Sequence, residues 1–206
     1  MLFLQGLTIP AIAGILIGML AGITFHEFSH AFAADQLGDR RPRALGRVSL
    51  NPLRHLDPFG TVLLVLVGIG WGKPVPVAVE ALRSGRAGLA LVAAAGPVAN
   101  IVVALVLAGT YRLVDLAGLG GEMSLQLLYT AVAVNLLLAI LNLIPIPPLD
   151  GFGVVISLVP PRWEYAIRPY AGYGVVVLLL LLILPNSPLS AILRLAYPWA
   201  AALCGI

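Results

Sequence analysis

From Ala11 to Ala34 the only ionisable side chains are those of one pentapeptide, His26-Glu27-Phe28-Ser29-His30. An apolar run of that length reads as a helix that crosses a bilayer. Few arrangements accept two imidazoles and a carboxyl in such a helix, because a charged group at mid-bilayer costs roughly 2.5–3.5 kcal/mol on insertion scales. Helical residues four apart share a face, so His26 and His30 can present two nitrogens to one cation. Glu27 lies on the neighbouring flank, where it can hold a water bound to that cation. A bound zinc would offset the cost of the three polar groups. The rest of the chain must therefore supply a third ligand and a wall around the site.

Composition narrows the class. The chain has 206 residues, of which 60% are hydrophobic and 10% charged, with a mean hydropathy of +1.02. A soluble domain of this size needs far more charge on its surface. We expect an all-α polytopic membrane protein with four to six transmembrane helices, a short re-entrant segment and a small cytoplasmic-side β element. One domain over residues 1–206 is expected, with a catalytic core at about 9–155 and C-terminal helices at about 162–203. A net charge of +3 is too small, and too segregated along the chain, to suggest a nucleic-acid partner. Cys204 is the only cysteine, which excludes a disulfide framework and a thiolate zinc site.

The first helix is expected to stop at Gly38, a C-cap type of residue, before Asp39-Arg40-Arg41-Pro42. Ala44 to Leu50 alternates weakly and reads as a short strand that Asn51-Pro52 terminates. Phe59 to Ile69 is apolar but too short to span, as suits a re-entrant helix. Trp71 to Val79, with its prolines and β-branched residues, reads as an extended edge segment. Gly88 to Leu113 spans again, interrupted by Gly96-Pro97 and carrying Asn100, which is most simply a partner for a neighbouring helix. Leu125 to Leu143 returns with Asn135 and Asn142 on one face, and Pro145-Ile146-Pro147-Pro148 ends it. Tyr170 to Leu184 and Leu189 to Leu203 are further apolar runs.

Eight of the 12 cationic residues (Arg40, Arg41, Arg43, Arg47, Arg54, Lys73, Arg83, Arg86) fall between the first two spanning helices. The positive-inside rule makes that segment cytoplasmic. His26, His30 and Asp150 then come to the same side of the membrane by independent routes. Zinc hydrolases use three protein ligands and leave a fourth position to water. For the third ligand the residues alone leave Asp150 and His55 open; Asp150 can equally be an N-cap for a helix starting at Gly151. Asp35, beyond His30, reads as a surface residue.

These blocks together resemble the site-2 protease family of intramembrane zinc metalloproteases in its minimal form, without a PDZ-like or ligand-binding accessory domain. The resemblance rests on His26 to His30; Gly46-Arg47-Val48-Ser49-Leu50-Asn51-Pro52 with His55 and Asp57; and Trp71-Gly72-Lys73-Pro74-Val75-Pro76-Val77. It continues through Gly96-Pro97-Val98-Ala99-Asn100 and Asn142 to Gly151, in family order. It covers about residues 15–155, and the last fifty residues match only in being apolar. The resemblance implies that His26, His30 and Asp150 bind one Zn2+ ion and that Glu27 is the catalytic base. Asn142 falls at a family position associated with substrate or transition-state contact.

The implied activity is an intramembrane endopeptidase that cuts within or beside transmembrane segments of other membrane proteins. The expected location is a prokaryotic plasma membrane, with the active site toward the cytoplasm. The rival reading is a zinc-binding membrane carrier or sensor without peptidase activity. A carrier has no need of Glu27, and it calls for a matched pair of broken helices where the chain shows one clear break, at residues 145–148.

Overall fold

The structure, a computed structural model, describes residues 7–57, 72–73, 75–184 and 187–206. Helix α1 (Ile9–Gln36) starts where the Thr8 hydroxyl accepts the Ala11 N–H (3.3 Å) and Pro10 sits in the first turn. It ends at Leu37, beyond which Gly38 takes a φ of +118°, a conformation that favours glycine. A single turn, α2 (Arg41–Ala44), follows, and then 3₁₀ turns at Pro52–Arg54 and Val79–Ala81. The long helices α3 (Gly85–Leu116) and α4 (Glu122–Asn142) come next. The chain closes with α5 (Asp150–Leu158), α6 (Pro161–Ile167), a 3₁₀ stretch at Arg168–Tyr173, α7 (Gly174–Ile183), α8 (Pro188–Leu193) and α9 (Ala196–Cys204).

Among the described residues, four stretches are long and apolar enough to cross a membrane: α1, α3, α4 and Pro161–Leu181. Helices α1, α3 and α4 pack against one another pairwise and form the body of the protein. The fourth stretch stands at the edge, 6% buried against 33% for each of the other three. The Leu189 to Leu203 run is shorter than these four: it breaks near Arg194 into α8 and α9, and α9 turns Ala196, Ala200 and Cys204 into the core.

Helices α1 and α4 run parallel and touch through a seam of glycines. A Cβ on Gly18 would lie 2.8 Å from the Ala131 Cα, and one on Gly22 would lie 2.8 Å from Asn135 Oδ1. One on Gly14 would strike the Leu127 carbonyl. Small residues every fourth position let helix backbones approach where lipid supplies no hydrophobic drive. A second anchor lies at the far end of α1. Asp35 is fully buried, not at the surface as its place near the helix end suggested, and it pairs with Arg43 (2.7 Å) and Arg40 (3.2 Å). Asp39 pairs with Arg41 (2.6 Å) and accepts the Ala78 N–H (3.0 Å), while the Arg83 N–H reaches the Leu37 carbonyl (2.8 Å). The Arg41 hydrogen bonds hold the Asp39 carboxyl well below the usual carboxylate range despite its burial. Together these contacts lay residues 75–83 across the end of α1.

The expected β element is not there. Among the described residues there is no strand, only an isolated antiparallel bridge between Leu56 and Gly72. Within the Ala44 to Leu50 segment Ala44 closes α2, Leu45 turns, and Gly46 takes a φ of +69°, which breaks the extended path. Of the Trp71 to Val79 segment, residues 75–78 have no regular structure, with Ala78 extended; they pair with no described strand, and Pro76 has no N–H to offer one. The expected re-entrant segment, Phe59 to Ile69, and Trp71 lie outside the described residues.

Candidate metal centre

Two helices deliver the donors and a third backs them. His26 and His30 project from one face of α1, four residues apart as their spacing requires, with rings nearly perpendicular (85°). Asp150 is the first residue of α5; the cap position is Leu149, so Asp150 is not the N-cap. Its carboxylate lies at the two imidazoles: Oδ2 is 3.0 Å from His26 Nε2 and 3.2 Å from His30 Nε2, and the two Nε2 atoms are 3.0 Å apart. Helix α3 closes the back. A Cβ on Gly96 would lie 2.6 Å from His26 Cε1 and strike His30 Nε2, so only glycine lets α3 pass there.

A chain of amides fixes the protons. Asn135 donates to the carbonyls of Gly18 (3.1 Å) and Ala131 (2.9 Å), so its Oδ1 is left to accept from Asn100 Nδ2 (3.4 Å). Asn100 also donates to the Gly22 carbonyl (3.1 Å), which turns its Oδ1 toward His26 Nδ1 at 2.7 Å. An amide oxygen only accepts, so the proton of His26 is on Nδ1. The Val92 carbonyl, 2.7 Å from His30 Nδ1, sets the same tautomer there. Both Nε2 atoms therefore point lone pairs at a carboxylate oxygen that has no hydrogen-bond donor of its own.

Three converging acceptors with no proton among them repel one another unless a cation sits between them. The donor set fits one. A tetrahedral zinc with bonds of about 2.0–2.1 Å places its ligand atoms about 3.3 Å apart, close to the separations here. Two imidazole nitrogens and one carboxylate oxygen are also the ligand types of a catalytic site with one position open. The outer partners Asn100 and Val92 orient the imidazoles as such sites require.

The triad opens on a cavity of about 620 Å³ that Glu27 and Asn142 also line, along with Met19, Ile23, Val75 and Leu141. That volume is within the range of about 300–1,000 Å³ common for ligand sites. Gly72 packs against the Glu27 carboxylate, 2.8 Å from Oε1 to where its Cβ would be. Asn142, the last residue of α4, donates to the Leu138 carbonyl (3.0 Å) and has a second amide hydrogen to spare. His55 is buried elsewhere, bonded through Nε2 to the Ser49 carbonyl, and is no part of the triad. Nor is Asp35.

Reading the sequence missed three parts. Asn100 bonds neighbouring helices as expected, through the Gly22 carbonyl and Asn135, and its bond to His26 adds a role at the site. Asn135 and Gly96 were seen but given no role at the site. The only available signal was their position on two different helices at the depth of the histidines.

No family model and no solved structure matches the chain at a significant level. Curated relatives do. The chain is 36% identical over 178 residues to "Putative zinc metalloprotease YwhC" of Bacillus subtilis, covering 83% of this chain and 80% of that protein. It is 31% identical over 188 residues to "Putative zinc metalloprotease Rip2" of Mycobacterium tuberculosis H37Rv, covering 85% and 70%. The Rip2 of Mycolicibacterium smegmatis is 29% identical over 181 residues. With its buried His/His/Asp cluster set in a bundle of membrane-length helices, the chain belongs with these bacterial proteins to the site-2 protease family of intramembrane zinc metalloproteases.

Proposed function

We propose that this protein cuts peptide bonds within or next to transmembrane segments of other membrane proteins, with His26, His30 and Asp150 holding one zinc ion. The observation that carries the reading is the convergence of three acceptors in one cavity with Glu27, the His26 proton turned away by Asn100 and that of His30 by the Val92 carbonyl. Zinc, when bound, supplies a Lewis acid that polarises the scissile carbonyl and lowers the pKa of the attacking water toward 7. Glu27 accepts the proton of that water and returns it to the departing amide nitrogen. The spare amide hydrogen of Asn142 faces the developing oxyanion. Met19, Ile23 and Leu141 give the cavity apolar walls suited to a membrane segment unwound over a few residues.

The protein acts as one membrane-embedded unit, with the chemistry in about residues 9–155. It resides in a prokaryotic plasma membrane, and the Arg-rich segment 40–54 turns the site toward the cytoplasm. The test is to incubate the purified protein with a panel of single-span membrane peptides, with and without zinc chelation, and to locate cuts by mass. Glu27→Gln is expected to retain zinc while cleavage falls by about 10²-fold or more. Undiminished cleavage by that variant would defeat the reading, and zinc transport in place of cleavage would point to the carrier.

A further inference from the structure

The two histidines share one helix, so their relation is fixed by α1 alone. Asp150 comes from α5, a separate helix of nine residues, and its position must be set by whatever holds that helix in place. One end of α5 is seated by close backbone contact: a Cβ on Gly151 would collide with the Leu143 carbonyl, and one on Gly153 would lie 3.1 Å from the Ala93 Cβ of α3. These contacts set how near the N-terminal half of α5 comes to its neighbours.

The other end carries a defect. The carbonyl of Ile156 would take its helical hydrogen bond from residue 160, which is proline and has no N–H. The carbonyl of Val159 finds no donor in residue 163 either, because the Trp163 N–H goes to the Pro160 carbonyl (2.9 Å). Arg86, in the first turn of α3, fills both places. Its Nη2 donates to the Ile156 carbonyl and to the Val159 carbonyl (2.9 Å), and its Nη1 pairs with Glu164 of α6. A cation at the C-terminal end of α5 also suits the helix dipole, as does the Asp150 carboxylate at the N-terminal end.

The two helices run antiparallel in this contact. Arg86 lies ten residues before Gly96 on α3, about 15 Å along the axis. Ile156 and Val159 lie six and nine residues beyond Asp150 on α5, about 9–13 Å. Gly96 touches the histidines, so one helix measures the histidine level and the other the aspartate level from the same guanidinium.

We propose that Arg86 is a positioning residue for the metal centre: by capping α5 it fixes the axial register that brings Asp150 to His26 and His30. It touches neither the metal nor the substrate. The inference rests on the zinc reading above, and the experiment separates the two. Zinc affinity is measured on the purified full chain by competition with a chromophoric chelator, and the visible spectrum of the Co2+-loaded protein reports the ligand geometry. The variants are Arg86→Ala, Arg86→Gln, Arg86→Lys and, as a control, Arg112→Ala. Arg112 caps the carbonyls of Ala202 and Leu203 in the same manner at the other end of α3.

Arg86→Ala is expected to weaken zinc binding about 10-fold or more and to alter the cobalt spectrum, as loss of outer-shell support does. Arg86→Lys, which keeps the charge and the donors, should recover most of the affinity, and Arg112→Ala should bind like wild type. If Arg86→Ala does not fold, the order wild type, Lys, Gln in falling affinity supports the proposal. Equal affinities and spectra across the Arg86 variants overturn it, as does an Arg112→Ala protein that loses zinc equally. A wild-type chain that took no zinc at all would sink the metal reading and this inference with it.

Discussion

Helix α3 meets its neighbours in two ways along its length. Near Gly96 and Asn100 it faces His26, His30 and Asn135, and the contact runs through directional hydrogen bonds between named atoms. Two turns further on, Ala104, Ala108 and Tyr111 face Val132, Ala200 and Cys204, where the contact is apolar and non-directional. At the polar end a lost partner strands a buried group and disturbs the next one in the chain. At the apolar end a lost methyl leaves a small gap. Function has been placed at the end that cannot adjust, and the other end keeps the bundle assembled.

Substitutions can press on that contrast. Gly96→Ala should have the largest effect, because the added methyl occupies the space of the imidazole nitrogens; zinc binding should fall beyond the reach of a chelator competition while helix content by circular dichroism persists. Should Gly96→Ala bind zinc normally, the close approach of α3 is not what holds the site. Asn100→Ala comes next: zinc affinity is expected to drop about 10–100-fold, since His26 loses the acceptor that sets its tautomer. Val132→Ala, at the apolar end, should cost on the order of 1 kcal/mol of stability with metal affinity and cleavage intact. The smallest effect is expected from Gly109→Ala, on the same helix, where no atom lies within 4 Å of the added Cβ. Its thermal midpoint should hold or rise slightly, reflecting up to about 1 kcal/mol of helix propensity. A loss of zinc in Gly109→Ala would erase the distinction between the two ends.

The sequence told most where one short pattern carried the chemistry. The spacing of His26 and His30 gave the shared face, and Asp150 after a proline-broken helix, together with the family resemblance, gave the third donor. The membrane spans follow from apolar run length, and among the described residues the structure has four stretches long and apolar enough to cross a membrane, the low end of the expected range. Asn100 is the partner for neighbouring helices that its place in a membrane helix suggests, bonding Gly22 and Asn135, but its bond to His26 depends on how α1 and α3 cross and has no signal in the sequence. The glycine seam of Gly14, Gly18 and Gly22 leaves no mark on the length of an apolar run, and its partner on α4 is set only by the fold. The expected strand at Ala44 to Leu50 failed because weak alternation does not make a strand without a partner, and Gly46 turns the chain within it.

The glycine seam between α1 and α4 has one more consequence. Backbone resting on backbone has no rotamers through which to relax, so those two helices vibrate together as a stiff pair. Glu27 rides on one member and Asn142 on the other. Under the function proposed above, the base and the amide would therefore keep their spacing through thermal motion, and their alignment would not be rebuilt each time a substrate arrives.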